Sequence, residues 1–121
     1  MNSKKISKLV VSALEDVKGQ SIQCINVEKL TAITEYMVIV TGSSNTHLKS
    51  MADAAVKKVK EAGVEVIGVE GRQQSEWILV DFGGVVLHLM MASVRVLYNL
   101  EELWSFKVAN SETEETAKHE N

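Results

Sequence analysis

The stretch "YMVIVTGSSNTHLKSMADAAVKKVKEAG", residues 36–63, decides the fold. Its opening run, Tyr36 to Val40, is apolar and rich in β-branched residues without a break, which predicts a strand buried on both faces. From Leu48 onward the period changes. Leu48, Met51, Ala52, Ala55, Val56 and Val59 recur at helical spacing, predicting a helix to about Ala62 that Gly63 stops. Between the two lies Gly42-Ser43-Ser44. The glycine lets the chain bend, and Ser43, Ser44 or Asn45 can cap the helix. A buried strand, a tight turn and an amphipathic helix, in that order, open an α/β unit.

Upstream, Ile6, Leu9, Val10, Ala13, Leu14 and Val17 form the stripe of a first helix, with Gly19 in the left-handed stop position. "SIQCINVEKL", residues 21–30, alternates weakly and reads as a short strand. Downstream, "VEVIGVEG", residues 64–71, reads as a strand closed by Gly71. "WILVDF" (77–82) and "VVLHLMM" (85–91) read as two strands joined at Gly83-Gly84. The glycine pair marks an antiparallel hairpin, because type I′ turns need positive φ. "ASVRVLYNLEELW", residues 92–104, returns to helical spacing through Val94, Leu97, Tyr98 and Leu103. The predicted architecture is α/β: a mixed sheet of about five strands with flanking helices. The passage from Tyr36 to Val69 is expected to be a right-handed parallel crossover.

The length, 121 residues, suits one domain. It divides into a folded part, residues 1–104, and an acidic tail, residues 105–121, predicted to be disordered. The single cysteine, Cys24, cannot form an internal disulfide, and no signal-peptide pattern opens the chain. Both point to a reducing, cytoplasmic setting. No apolar run reaches the ~18 residues of a membrane span. A formal charge of −3 lacks the basic excess of a protein that grips nucleic acid mainly by neutralising phosphates. A local basic patch remains allowed. Direct sequence-specific nucleic-acid binding is not expected.

A Gly-Ser turn after a strand, opening a helix, is also one way of holding a nucleotide phosphate. Nucleotidyl transfer would then need two carboxylates, spaced Asp-x-Asp on one strand face, to hold Mg²⁺. The acid at about the right distance is Asp53, on the polar side of the helix, with Ala55 two residues on. Lys49 and Lys57 flank it four residues either way, the pattern of an exposed salt-bridge row. Glu70 and Asp81 likewise lack a second acid at that spacing. The turn matches neither G-x-x-x-x-G-K-[ST] nor G-x-G-x-x-G. His47, His88, His119 and Cys24 have no metal-ligand spacing. Ser43 or Ser44 with His47 lacks a supporting Asp, and Cys24 with His88 matches no motif. Catalytic residues, metal ligands and cofactors are therefore all expected to be none.

What remains is a strand face. Trp77, Leu79 and Asp81 point one way from "WILVDF", and Ile78, Val80 and Phe82 the other. On "VVLHLMM", Val86, His88 and Met90 share a face. Trp77 beside a carboxylate, an imidazole and a methionine has the composition of a protein-binding hot spot. The plainer reading is that Trp77 plugs the edge of the core under a helix.

Taken together, "EYMVIVTGSSNTHLKSMAD" (35–53), the Glu70-Gly71 pair, "WILVDFGGVVLHLM" (77–90) and "VRVLYNLEELW" (94–104) resemble the ribosomal silencing factor, or Iojap-like, family. The resemblance covers residues 4–104 and rests on several motifs in order. It implies a nucleotidyltransferase-like fold without catalytic acids, and hence no enzyme. It implies binding to the large ribosomal subunit through large-subunit ribosomal protein fourteen. Occupying that place would block joining of the small subunit and lower translation when nutrients are short, with a further link to large-subunit maturation. The runner-up is a nucleotide-binding enzyme that kept the fold. Carried onto this chain, the family's contact surface is the Trp77 to Met90 hairpin and the nearby helix. Trp77 and Phe82 are expected as apolar anchors, and Asp81 and His88 as polar register. Tyr98 either contributes from the helix or braces it. The same face could close a homodimer in the free protein. Gly84 stands where an acid is common in the family, and the tail after Ser105 is an extension.

Overall fold

The computed structural model describes residues 2–71 and 76–98; the predicted tail and the end of the last predicted helix lie outside them. The elements are α1 (Ser3–Asp16), β1 (Gln20–Asn26), β2 (Tyr36–Gly42), α2 (Asn45–Glu61), β3 (Gly68–Glu70), β4 (Trp77–Asp81), β5 (Val85–Met91) and α3 (Ala92–Tyr98). The five strands form one mixed sheet in the order β1-β2-β5-β4-β3. Only β2 and β5 pair in parallel; the other neighbours are antiparallel.

α1 starts where the Asn2 side chain accepts the Lys5 N–H at 2.8 Å. Its end departs from expectation. Lys18, not Gly19, takes the left-handed conformation, at φ 63°. Gly19 donates to the Leu14 carbonyl at 2.8 Å and Lys18 to that of Glu15 at 3.1 Å, which is a Schellman cap. Gly19 serves a different need. A Cβ there would lie 2.8 Å from Val40 Cγ2 and 3.1 Å from the Leu14 carbonyl oxygen, so the helix end can approach β2 only without a side chain.

α1 and α2 lie on one face of the sheet. Ile6, Val10, Ala13 and Leu14 from α1 meet Leu48, Met51, Ala55 and Val59 from α2, over Val38, Val40, Ile78, Val80, Leu87 and Leu89 from the strands. Each strand residue in that list is two away from the next on its strand, as a pleated face requires. The predicted stripe of α2 is buried except Val56, which is half-buried. Gly63, at φ 86°, ends the helix as expected.

The "VEVIGVEG" strand is shorter than predicted. Only Gly68–Glu70 pairs with β4, because the residues before it run past the end of β4 at Asp81, where the Ile67 N–H takes the last carbonyl at 2.8 Å. β3 runs in the same direction as β2, but β5 and β4 lie between them, so α2 carries the chain across two strands. The parallel neighbour of β2 is β5, the last strand in sequence. The hairpin at Gly83-Gly84 forms as expected, with one difference. Positive φ occurs at Gly83 (90°) and not at Gly84, the φ pattern of a type II′ turn rather than I′. Gly84 is constrained by its surroundings instead. A Cβ there would overlap the Ser3 hydroxyl at the start of α1. The start of α1 fills the space that a side chain at residue 84 would need.

Candidate functional site

The face of the sheet opposite α1 and α2 is only partly roofed. Val27, Met37, Ile39 and Met90 are buried there, with Ile25, Leu30, Trp77 and Val94 packed around them. The segment after β1 supplies Val27 and Leu30, and α3 supplies Val94. The roof thus sits over β1, β2 and the end of β5. Towards β4, Trp77, Leu79, Asp81 and Val86 stay half-exposed.

Trp77 and His88 form the centre of this face. The pairing of Trp77 with Met90 and Leu79 with His88 puts the indole diagonally across from the imidazole. Trp77 Nε1–H donates to His88 Nδ1 at 3.0 Å, with ring centroids 5.8 Å apart and planes at 51°. An indole N–H can only donate, so Nδ1 must carry a lone pair and the ring proton sits on Nε2. His88 is 8% exposed, and burial lowers its pKa from 6.5 to about 4, because an imidazolium there would lose its hydration. The neutral ring that Trp77 needs is therefore the form present at neutral pH.

The expected site residues divide. Trp77, Asp81 and His88 lie on the open face together. Asp81 closes the hairpin as well, accepting the Gly83 N–H on Oδ1 at 2.8 Å. His88 lies beneath the surface, hydrogen-bonded to Trp77. Phe82 requires a correction. It is 4% exposed and packs in the core under α1 and α2, on the opposite face from Trp77, as strand alternation demands. It has no surface to offer a partner. Tyr98 is the last residue of α3, and its side chain lies outside the described residues.

Arg95 was not singled out from the sequence, although one arginine inside the apolar run "ASVRVLY" is a signal. It is 9% exposed and its Nη1 donates to the Ser21 carbonyl at 2.5 Å and to Thr41 Oγ1 at 2.9 Å. Arg95 thereby ties α3 across β2 to the irregular start of β1. There the register shifts between Gln20 and Gln23 and Ser21 takes φ 50°. Beside it, where β2 and β5 lead into helices on opposite faces, opens a cavity of about 580 Å³ lined by Gln20, Gln23, Thr41 and Arg95 among others.

The Gly-Ser-Ser turn is occupied by structural contacts. Ser44 is the cap, its Oγ accepting the His47 N–H at 3.0 Å. His47 Nδ1 accepts the Ser43 N–H at 2.9 Å, and Nε2 lies 2.8 Å from the Val17 carbonyl, to which it must donate. The Ser43 hydroxyl is 3.2 Å from the same Nδ1, whose lone pair already takes a backbone N–H. His47 fastens the start of α2 to the end of α1, and a backbone carbonyl stands where a triad would place a carboxylate. Among the described residues no three His, Cys, Asp or Glu side chains are grouped to hold a metal ion, and no helix is long and apolar enough to cross a membrane.

Comparison with known proteins now decides the family. Residues 1–121 match the family described as ribosomal silencing factor during starvation. The chain belongs to that family. A ribosomal silencing factor of Chromobacterium violaceum is 45% identical over 104 residues, which span 86% of this chain and 85% of that protein. A crystal structure of a protein from the same organism superposes with a TM-score of 0.84 at 45% identity, covering 86% of this chain and 87% of the other. A Bacillus halodurans structure gives 0.76 at 30% identity, covering 84% and 95%. A mouse protein named mitochondrial assembly of ribosomal large subunit protein 1 is 34% identical over 102 residues, 82% of this chain and 45% of its own length.

Proposed function

We propose that this silencing factor is a cytoplasmic, non-catalytic protein that docks on the large ribosomal subunit through large-subunit ribosomal protein fourteen. It thereby blocks joining of the small subunit and lowers translation under nutrient limitation. The observation that carries this reading is Trp77, a large aromatic held half-exposed by His88 on the unroofed side of the sheet. Leu79 and Val86 beside it and Asp81 at the rim complete a small apolar centre with a polar edge, the anatomy of a docking patch. Family membership supports the ribosomal target, and the name of the mouse relative supports a link to the large subunit. No chemistry is needed. A bound 13.3 kDa body excludes an overlapping partner by volume, and the effect follows occupancy.

The test is co-sedimentation of the full chain with purified large subunits, followed by a subunit-joining assay. The chain should travel with large subunits and reduce joining. Failure of the parent protein to bind large subunits would sink the reading. The same face could instead pair two free copies, and concentration-dependent sedimentation of the protein alone detects that. One observation favours a rival. The cavity beside Arg95 lies where a parallel strand pair parts to opposite faces, the place where open α/β sheets commonly take ligands. Micromolar binding of a nucleoside triphosphate with Mg²⁺, measured by calorimetry, would favour a nucleotide-binding enzyme.

A further inference from the structure

Charge is unevenly divided between the helical layer and the rest of the described chain. α1 and α2 with their caps carry Lys4, Lys5, Lys8 and Lys18, then Lys49, Lys57, Lys58 and Lys60. Against these eight lysines stand four carboxylates, Glu15, Asp16, Asp53 and Glu61, so the helical layer has a net charge of +4. The rest of the described chain is its opposite. Glu28, Glu35, Glu65, Glu70, Glu76 and Asp81 outweigh Lys29 and Arg95, a net charge of −4. The small overall charge of −3 hides this division, because charge summed along a sequence takes no account of which elements carry it.

We infer that the helical layer is a second contact surface, which takes the phosphate backbone of RNA. Neither helix has an acid in its first turn. Lys4, Lys5 and Lys8 are all exposed in the first two turns of α1, and the acids of that helix, Glu15 and Asp16, lie at its far end. Asp16 is matched by Lys58 at 3.3 Å. The excess positive charge is therefore clearest on the early turns of α1, where Lys4, Lys5 and Lys8 precede the first acid of the helix, Glu15.

The chemistry of the layer selects among polyanions. The strongly exposed large apolar residues among those described are Ile33, Ile67 and Val96, and none is on α1 or α2. A membrane surface would find nothing to insert. Neither helix contains Phe, Tyr or Trp, so there is no platform for stacking unpaired bases. What remains is a row of lysines on flexible stems, point charges that neutralise phosphates without fixed geometry. The contact is independent of base sequence. The Trp77 face lies on the other side of the sheet, so RNA held by the helical layer leaves it free.

The contact is tested without ribosomes, so its outcome is separate from that of the docking reading. Fluorescence anisotropy follows binding of the full chain to a labelled RNA duplex of about 20 base pairs, starting near ~50 mM salt, where phosphate contacts are strong. The parent should bind, and binding should weaken linearly in log–log form as salt rises, by about one unit of slope per lysine engaged. The variant Lys4→Glu/Lys5→Glu/Lys8→Glu should bind at least about tenfold more weakly with a shallower slope. Lys4→Gln/Lys5→Gln/Lys8→Gln should fall between, and Trp77→Ala should match the parent. Circular dichroism checks that each variant is folded. The inference is overturned by any of three results: no salt-dependent binding by the parent, unchanged binding by both lysine variants, or equal affinity for polyglutamate or anionic vesicles.

Discussion

Trp77 and Phe82 are five residues apart in one motif, and their fates differ because a strand alternates. Trp77→Ala should leave the fold intact and weaken binding to large subunits by ~2 kcal/mol or more, about thirtyfold, as loss of a hot-spot aromatic does. Equal binding by parent and variant in co-sedimentation would remove Trp77 from the site. Phe82→Ala should do the reverse. It empties a core position under α1 and α2 and should lower unfolding stability by ~3–5 kcal/mol in urea titration. His88 links side chain to pH. Burial lowers its pKa from the ordinary 6.5 to about 4 in the folded protein. Between these values the unfolded chain binds the proton and the folded one does not, so stability falls as pH drops from 6.5 towards 4. At ~1.4 kcal/mol per unit the full effect is about 3 kcal/mol. Urea midpoints of parent and His88→Asn at pH 7 and at pH 4.5 measure it, and the difference should shrink in the variant.

The end of α1 shows what an element requires beyond its own pattern. A glycine after an amphipathic stripe predicts a left-handed stop, and the stop is there, but Lys18 makes it. Gly19 is required by the next element, since Val40 of β2 fills the space a methyl would need. Gly19→Ala should therefore cost ~1–3 kcal/mol through overpacking, although alanine favours helices. A stability within about 0.5 kcal/mol of the parent would show that β2 yields easily. α3 is anchored in a comparable way. The Arg95 guanidinium holds it to β1 and β2 from inside the fold. Arg95→Ala should lose roughly 1.5–3 kcal/mol, the range for hydrogen bonds to a charged group. Native-state hydrogen exchange should show α3 opening faster while α1 and α2 keep their protection.

For the whole molecule, the consequential feature is that its two sides differ. One side is a closed, lysine-rich helical layer. The other is a sheet face that is roofed over β1 and β2 and half-open at β4. Family membership and the architecture were legible in the sequence because strand and helix periods are local and the glycine hairpin is marked by residue type. The candidate site was legible in part. Alternation correctly put Trp77, Asp81 and His88 on one face and Phe82 on the other, yet the shared motif drew Phe82 in as an anchor. Arg95 was missed because its partners, Ser21 and Thr41, lie 74 and 54 residues away.

By itself the sequence determined the elements, most of their boundaries, the two faces of each central strand and the absence of a paired-carboxylate motif at the Gly-Ser-Ser turn. These depend on neighbours within a few residues, where backbone geometry and side-chain period act. Only the tertiary structure decided that β5 lies beside β2, that α3 and the segment after β1 cover part of the open face, and that a buried His88 accepts a hydrogen bond from Trp77. It also decided that lysines dispersed along the chain gather in one helical layer. Each of these depends on contacts between distant residues, and hydrophobic burial and hydrogen-bond pairing settle such contacts only when the whole chain packs at once.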